Sequence, residues 1–474
     1  MAEPRLALAE VLRQLPPPWP EDPQPAIRAA LEARAEKVVV LDDDPTGTQT
    51  VHGVPVLTAW PVAALAAELA NSLPAVYLLT NSRSLPLAAA QACNAEIGRA
   101  LCQAARQTGR RFVVVSRSDS TLRGHFPGEV EALAAALETP FDAWLLVPFF
   151  EEGGRYTLGD VHYVAEGETL VPAAATEFAR DAAFGYRTSH LPRWVEEKTG
   201  GRIPAAAVAS VSLEDLRRGG PSQVTARLLA LAGGRVCVVN ALCRRDLEVF
   251  VQGLLAAEAQ GKRFLYRTAA SFVPVRAGIP PQALLPPAAL TAAGGHGSLT
   301  LVGSHVPRTT SQLAQLLAEP GVVALELPVA ALLSERERDR VVADTARQVN
   351  VALRRGADVV VFTSREVVTG REAADSLAIA QRVSAGLVAV VQALDVRPRY
   401  LLAKGGITAS DIATRGLGVR RAMVLGQILP GVPVWQLGEE TRFPGLAYVV
   451  FPGNVGGPEA LRTLVAACRL PAGE

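Results

Sequence analysis

Short apolar, β-branched runs alternate along this chain with longer Ala/Leu/Arg stretches of helical period. The runs predict strands at Lys37–Leu41, Ala75–Leu79, Phe112–Val115, Ala143–Val147 and Val236–Val239. A second series covers Leu299–Val302, Val322–Leu325, Asp358–Phe362, Tyr400–Leu402, Ala422–Leu425 and Ala447–Phe451. Between them the period changes, and helices are predicted over Pro86–Gln107, Glu129–Leu137, Thr225–Leu231 and Asp246–Ala257. The later half adds Thr310–Leu317, Glu335–Arg354, Arg371–Leu394 and Pro458–Cys468. Strands that are apolar at every position are buried on both faces, which is the signature of parallel sheets packed between helices. The expected fold class is α/β, with two domains that are each a largely parallel sheet flanked by helices, and with an interdomain cleft. Arg276–Thr300 is rich in Pro, Gly and Ala and follows neither period, so a linker is placed at 276–298. It divides an N-terminal extension (1–35) and a first domain (36–275) from a second domain (299–474).

A chain of 474 residues agrees with two domains. The formal net charge of +1 gives no footprint for nucleic acid or an anionic membrane. The cysteines (Cys93, Cys102, Cys237, Cys243 and Cys468) are scattered, with no CxxC or Cys/His cluster, so neither a disulfide framework nor a zinc site is expected. The N-terminus lacks the basic start and apolar core of a signal peptide, and Pro55 and Pro61 interrupt the apolar stretch from Gly53 to Ala70. A soluble cytoplasmic protein is expected. Lysine occurs only at positions 37, 198, 262 and 404, which draws attention to each.

In parallel α/β folds ligands gather beyond the carboxyl ends of strands, so the polar segments that follow strands matter most. In the first half these are DDDPTGTQT (Asp42–Thr50), TNSRS (Thr80–Ser84), SRSDSTLRGHF (Ser116–Phe126) and PFFEEGGRYTLGD (Pro148–Asp160). They bring carboxylates, hydroxyls and the guanidiniums of Arg83, Arg117, Arg123 and Arg155. Guanidinium binds carboxylate or phosphate through a fork, and hydroxyl and amide groups suit a polyol. The mixture fits a small hydroxylated acid better than an apolar ligand. Glu151 and Glu152 read as solvated loop residues.

The second half has glycines in the corresponding places. VGSHVPRTTSQ (Val302–Gln312), LLAKGGITASDIATRGLG (Leu401–Gly418) and VVFPGNVGGPEAL (Val449–Leu461) each run from a strand through a turn toward a helix. Glycine permits close backbone approach and helix-start amides favour phosphate, so a nucleotide phosphate site is expected here, with Lys404 adding charge. No Walker motif, strand-following GxGxxG, GxSxG or HExxH is present. The six histidines show no paired metal spacing, and no protein-held metal is expected.

The ordered set of short motifs resembles the four-carbon acid sugar kinase family. DDPTG (Asp43–Gly47) is similar to its opening motif, TNSRS and SDSTLRG (Ser118–Gly124) to the next two, and GGRYTLGD (Gly153–Asp160) to a fourth. GSHVPRTTSQ (Gly303–Gln312), GGIT (Gly405–Thr408), PGVP (Pro430–Pro433) and PGNVG (Pro452–Gly456) follow in the family's order. The resemblance implies an N-terminal sugar-acid domain, with Asp43, Asp44, Arg83, Asp119, Ser120, Thr121 and Arg123 lining its site. It also implies a C-terminal nucleotide domain, with Ser304, Thr309, Gly405, Gly406, Thr408, Gly453 and Asn454 holding ATP. Three departures from the pattern stand out: Val306 replaces a serine, Arg117 stands in a region where many members have lysine, and FPGNVG lacks the usual basic residue.

The activity so implied is ATP-dependent phosphorylation of a hydroxyl on a small sugar acid, with Mg2+ bridging the phosphates. Arg83 or Arg123 would clamp the substrate carboxylate, and Asp43 or Asp119 would orient or deprotonate the attacking hydroxyl. Lys404, Gly405 and Gly406 would hold the phosphates. A small sugar acid is the expected partner, with no nucleic acid or membrane, and a homo-oligomer stays open. The alternatives are a nicotinamide-dependent oxidoreductase, which the missing GxGxxG disfavours, and a non-catalytic sugar-acid sensor.

Overall fold

The computed structural model describes residues 3–292, 294–365, 368 and 373–469. It divides into two compact units: Met1–Val54 with Trp60–Pro281, and Pro55–Ala59 with Gln282–Glu474.

The first unit is built on a parallel sheet. Its strands run in the order Ala209–Val211, Arg235–Val239, Ala143–Val147, Phe264–Thr268, Phe112–Arg117, Lys37–Asp42 and Ala75–Leu79. Every residue of Lys37–Asp42 is buried, as expected for a strand covered on both faces. The helix Leu87–Thr108 shows how the cover is made. Ala90, Asn94, Ile97, Leu101 and Ala104 recur at helical spacing and bury one stripe, and Gly109 ends the helix at φ +66°, in the left-handed region. A small antiparallel sheet accompanies the main one, in the order Leu6–Ala7, Thr169–Pro172, Val161–Glu166 and Arg155–Leu158.

The extension preceding Glu36 is part of this unit. Leu6 pairs with Leu170, Ile27 of the Gln24–Arg34 helix is fully buried, and the Pro16 carbonyl accepts from Arg217 Nη1 at 2.9 Å.

The second unit carries a mixed sheet. Val322–Leu327, Asp358–Thr363, Ser298–Val302, Tyr400–Lys404 and Ala447–Phe451 are parallel neighbours in that order. Val432–Leu437 and Arg421–Leu429 extend the sheet as an antiparallel pair. An excursion of the chain, Pro55–Ala59, belongs to this unit, where the Thr58 amide donates to the Arg420 carbonyl at 3.1 Å. The expected linker is more structured than its composition indicates. It contains the end of the Phe272–Arg276 helix and a short helix at Ala288–Thr291, and the Leu285 amide donates to the Gln427 carbonyl at 2.7 Å. Position 293 of that linker and residues 371–372 of the expected Arg371–Leu394 helix lie outside the described residues, while Ala373–Gln392 is helical.

Sheet order locates the crevices. In the first unit, Lys37–Asp42 has Ala75–Leu79 on one side and Phe112–Arg117 on the other, so successive connections leave it in opposite directions. In the second unit, Ser298–Val302 lies between Asp358–Thr363 and Tyr400–Lys404 in the same way. Such switch points open a crevice beyond the strand's carboxyl end.

Candidate functional site

At the first switch point, the three adjacent aspartates have three different environments. Asp42 is the last residue of its strand, and its Oδ1 accepts from Arg117 Nη1 at 3.0 Å. The same nitrogen donates to Asp43 Oδ1 at 3.2 Å. Asp44 caps the short Pro45–Thr50 helix by accepting from the Thr46 amide at 2.8 Å, and it pairs with Arg83 Nη2 at 2.6 Å. The glycine of the DDPTG segment has a steric reason. A Cβ on Gly47 would run into the Asp42 carboxylate.

Arg83, on the TNSRS turn, joins this cluster to the next loop through Asp119 Oδ1 at 3.0 Å. Asp119 is saturated with donors. It accepts from Arg123 Nε at 2.9 Å, Arg123 Nη2 at 3.2 Å, the Thr121 amide at 3.2 Å and the Thr121 hydroxyl. The loop is also held from outside. His162 Nε2 lies 2.7 Å from the Ser120 carbonyl and Tyr186 donates to the Thr121 carbonyl at 2.7 Å, while Phe178 lies under the Arg123 guanidinium. Burial keeps His162 neutral, with a pKa lowered to about 4, so Nε2 carries the proton toward Ser120 and Nδ1 accepts from Thr157.

These settings separate the acids electrostatically. Burial lifts the Asp42 carboxyl to about 7 despite Arg117, and the Asp43 and Asp44 charges add to the rise. Burial also raises Asp43, against the pull of Arg83 and Arg117. For Asp44 and Asp119 burial acts in the same direction but is overcome: Arg83 and Thr46 bring Asp44 below the usual range, and Arg123, Arg83 and Thr121 hold Asp119 well below it. Asp42 Oδ2 and Asp43 Oδ2 are buried with no hydrogen-bond partner among the described residues.

A folded-state pKa raised above 3.8 means that the folded protein holds the Asp42 proton more tightly than the unfolded chain. Its ionisation therefore costs stability as pH rises from about 4 through about 7. Asp42→Asn removes that cost while keeping the shape. Relative to wild type, the variant should gain unfolding free energy across this window, by up to about 1.4 kcal/mol per pH unit. Urea melts at several pH values check this, and an offset that does not change with pH would contradict it.

At the second switch point the turns converge on Ser304. Its hydroxyl lies 3.2 Å from Thr309 Oγ1, which is itself 3.2 Å from the Gly453 carbonyl. Gly405 has φ +113°, and a Cβ there would meet Ser304 Cβ at 2.9 Å. Thr408 packs against Gly303, Gly406 opens the Gly406–Asp411 helix, and exposed Asn454 presents its carbonyl to Arg308 Nη1 at 2.7 Å. Ser304, Thr309, Gly405, Thr408 and Gly453 are thus brought together.

Lys404 is not brought to the surface of these turns. Its ammonium is fully buried, 4.0 Å from the centre of the Phe451 ring, and donates to the Pro452 carbonyl at 2.5 Å. Burial lowers its pKa to about 7. The cation beside Ser304 is instead Arg365, which sequence reasoning missed. Its Nη2 donates to the Ser304 carbonyl at 2.8 Å and to Thr310 Oγ1 at 2.7 Å, and among the described residues its Nε and Nη1 have no acceptor. Among the described residues, no group of three or more His, Cys, Asp or Glu side chains could hold a metal ion, and no helix is long and apolar enough to cross a membrane.

Two α/β units, one with a carboxylate–guanidinium cluster and one with a hydroxyl–glycine cluster at its switch point, define a two-domain protein. Comparison with known families is specific on this point. Residues 38–276 match the sugar-binding N-terminal domain and residues 299–461 the nucleotide-binding C-terminal domain of one family, and the chain belongs to it. Among solved structures, a Salmonella typhimurium LT2 protein provisionally named a tRNA synthase is similar in fold, with a TM-score of 0.65 and 19% identity. That match covers 91% of this chain and 98% of the other. A Haemophilus influenzae protein of the family DUF1537 aligns with a TM-score of 0.58 and 19% identity, over 91% of this chain and 99% of its own. No curated protein matches the sequence.

Proposed function

We propose that this protein is an ATP-dependent kinase that phosphorylates a hydroxyl of a small, four-carbon sugar acid. The observation that carries the reading is the Asp43 carboxylate. It is buried at the crevice of the sugar-binding domain, its pKa is raised, and one oxygen has no donor among the described residues. A carboxylate in that state can accept a proton from a ligand hydroxyl. Asp119, saturated with donors and held well below the usual range, is a poor base and instead fixes Arg83 and Arg123.

In this reading the second domain holds ATP by its phosphates at Ser304, Gly405 and Gly453, and the terminal phosphoryl group passes to the deprotonated hydroxyl. Such a reaction needs positioning and charge stabilisation rather than a covalent intermediate. Mg2+ would be held by the phosphate oxygens, with the hydroxyls of Ser304 and Thr408 as protein ligands, because the converging turns bring these side chains together. The direct test is ADP release by the purified protein on addition of four- to six-carbon sugar acids. Absence of release with every acid would remove the assignment.

Arg365 supplies positive charge at the Ser304 turn in place of the enclosed Lys404. Losing one charge-assisted contact to a phosphate costs about 1.5–3 kcal/mol, so Arg365→Gln should raise KM for ATP by about tenfold or more. KM for the acid should stay unchanged. Steady-state kinetics with each substrate varied will show this, and an unaltered KM for ATP would exclude Arg365 from the nucleotide site.

A further inference from the structure

A charge account of the first crevice separates one arginine from the rest. Arg83 is engaged by Asp44 and Asp119, Arg123 by Asp119 and Asp181, and Arg117 by Asp42 and Asp43. Arg267, in the Phe264–Thr268 strand, is buried like Arg117, more so than Arg83 and Arg123, but has no carboxylate oxygen within 4.0 Å among the described residues. Its polar contact is Nη2 to the Arg123 carbonyl at 3.2 Å. Its guanidinium lies over Phe126 at 5.4 Å and Trp194 at 5.8 Å, two rings that stack on each other, so the orientation of its fork is set by aromatic packing. Burial works against its charge, and the acidic groups around it (Asp43, Glu129 and Asp119) offset this only in part.

Beside it the chain carries no side chain. Gly124 has φ +117°, and a Cβ built there would meet, apart from its chain neighbours, just two atoms within 4 Å. These are Arg267 Nη2 and Asp43 Oδ2, each at 3.4 Å. Asp43 Oδ2 is the buried carboxylate oxygen that has no donor of its own. A bare glycine thus separates a guanidinium lacking a carboxylate from a carboxylate oxygen lacking a donor. A ligand that carries a carboxylate next to a hydroxyl satisfies both.

We propose that Arg267 is the residue that receives the carboxylate of the ligand, while Asp43 receives a hydroxyl on the neighbouring carbon. Arg83 and Arg123, already neutralised by aspartates, frame the site. This assignment rests on the sugar-acid reading above, and it makes the site selective for a 2-hydroxy acid over the matching polyol.

The test is calorimetric titration of the four stereoisomeric tetronates, with a non-hydrolysable ATP analogue and Mg2+ present, into wild type, Arg267→Gln and Arg267→Lys. Wild type should bind at least one tetronate. Arg267→Gln should weaken it by about 10- to 100-fold, and Arg267→Lys should recover part of the loss because it restores charge without the fork. An Arg267→Gln protein that binds the tetronate as wild type does overturns the assignment. Equal losses in both variants also overturn it, since they mark Arg267 as a packing residue against Phe126 and Trp194. Should Arg267→Gln not fold, Arg267→Lys alone decides, with about tenfold weakening expected and unchanged affinity contradicting the proposal. A wild type that binds ATP but none of the tetronates overturns the sugar-acid reading itself and this assignment with it, an outcome distinct from a defect confined to the variants.

Discussion

Asp43→Asn should lower acid-dependent ATP turnover by about 10²- to 10⁴-fold, the range expected for loss of a general base. The amide keeps the shape of the side chain and an oxygen for Arg117 Nη1, which now sits 3.2 Å from Asp43 Oδ1, so the fold should survive. Affinity for the acid should change by less than about tenfold, because the amide can still hydrogen-bond a ligand hydroxyl. The fall should therefore appear in kcat. Asp119→Asn should behave differently. Asp119 joins Arg83 to Arg123 and ties its own loop, so its loss should raise KM for the acid and reduce stability, without removing a proton acceptor. If Asp43→Asn instead lost acid affinity and turnover in equal measure, Asp43 would be a binding group and not the base.

Arg117→Met should cost about 3–5 kcal/mol of folding stability at neutral pH, the usual penalty for removing one partner of a buried ion pair. Arg117 Nη1 serves Asp42 and Asp43 together, and the remaining oxygens of both carboxylates have no partner among the described residues. Without the guanidinium, Asp42 loses its cation and Asp43 keeps only the more distant Arg83, 3.9 Å away, so the two carboxylates cannot both stay ionised at their burial. Protonation relieves them, so the penalty should shrink as pH falls, and urea melts at neutral and acid pH will separate this from a packing defect. Arg117→Lys retains one bridging charge and should cost less. A loss below about 1 kcal/mol for Arg117→Met at neutral pH would contradict this electrostatic account.

The parallel strands were legible because each is a continuous apolar run: Lys37–Asp42, Ala75–Leu79 and Ala143–Val147 are buried along nearly their whole length. Phe264–Thr268 escaped for an instructive reason. Arg263 precedes it and Arg267 interrupts it, and a strand that carries a buried arginine does not look like a core strand. Its position between Ala143–Val147 and Phe112–Arg117 places that arginine at the crevice. The polar segments holding Asp43, Asp44, Arg83, Asp119 and Arg123 could be picked out because they follow strands, the motif resemblance implied the individual residues, and the sheet order brings those strand ends together.

Side-chain direction was not legible. Lys404 ends its strand beside two glycines, yet backbone carbonyls and the Phe451 ring satisfy its ammonium inside the fold. Arg365 follows the Asp358–Thr363 strand with no glycine to mark a turn, so only its contact with the Ser304 carbonyl reveals it. His162 and Tyr186 reach the Ser120–Thr121 backbone from 42 and 65 residues away, a relation that no local pattern carries. Asp42, next to the recognised acidic pair, proved to share Arg117 with Asp43, because the last residue of a buried strand cannot turn to solvent.

The most direct test of the central claim is to supply ATP labelled at its terminal phosphate, with Mg2+ and each tetronate, and to analyse the products by mass spectrometry. The account predicts a phosphate ester of at least one tetronate that carries the label, formed in step with ADP and nearly abolished in Asp43→Asn. A protein that binds both ATP and a tetronate, yet yields no labelled ester from any of them, would contradict it.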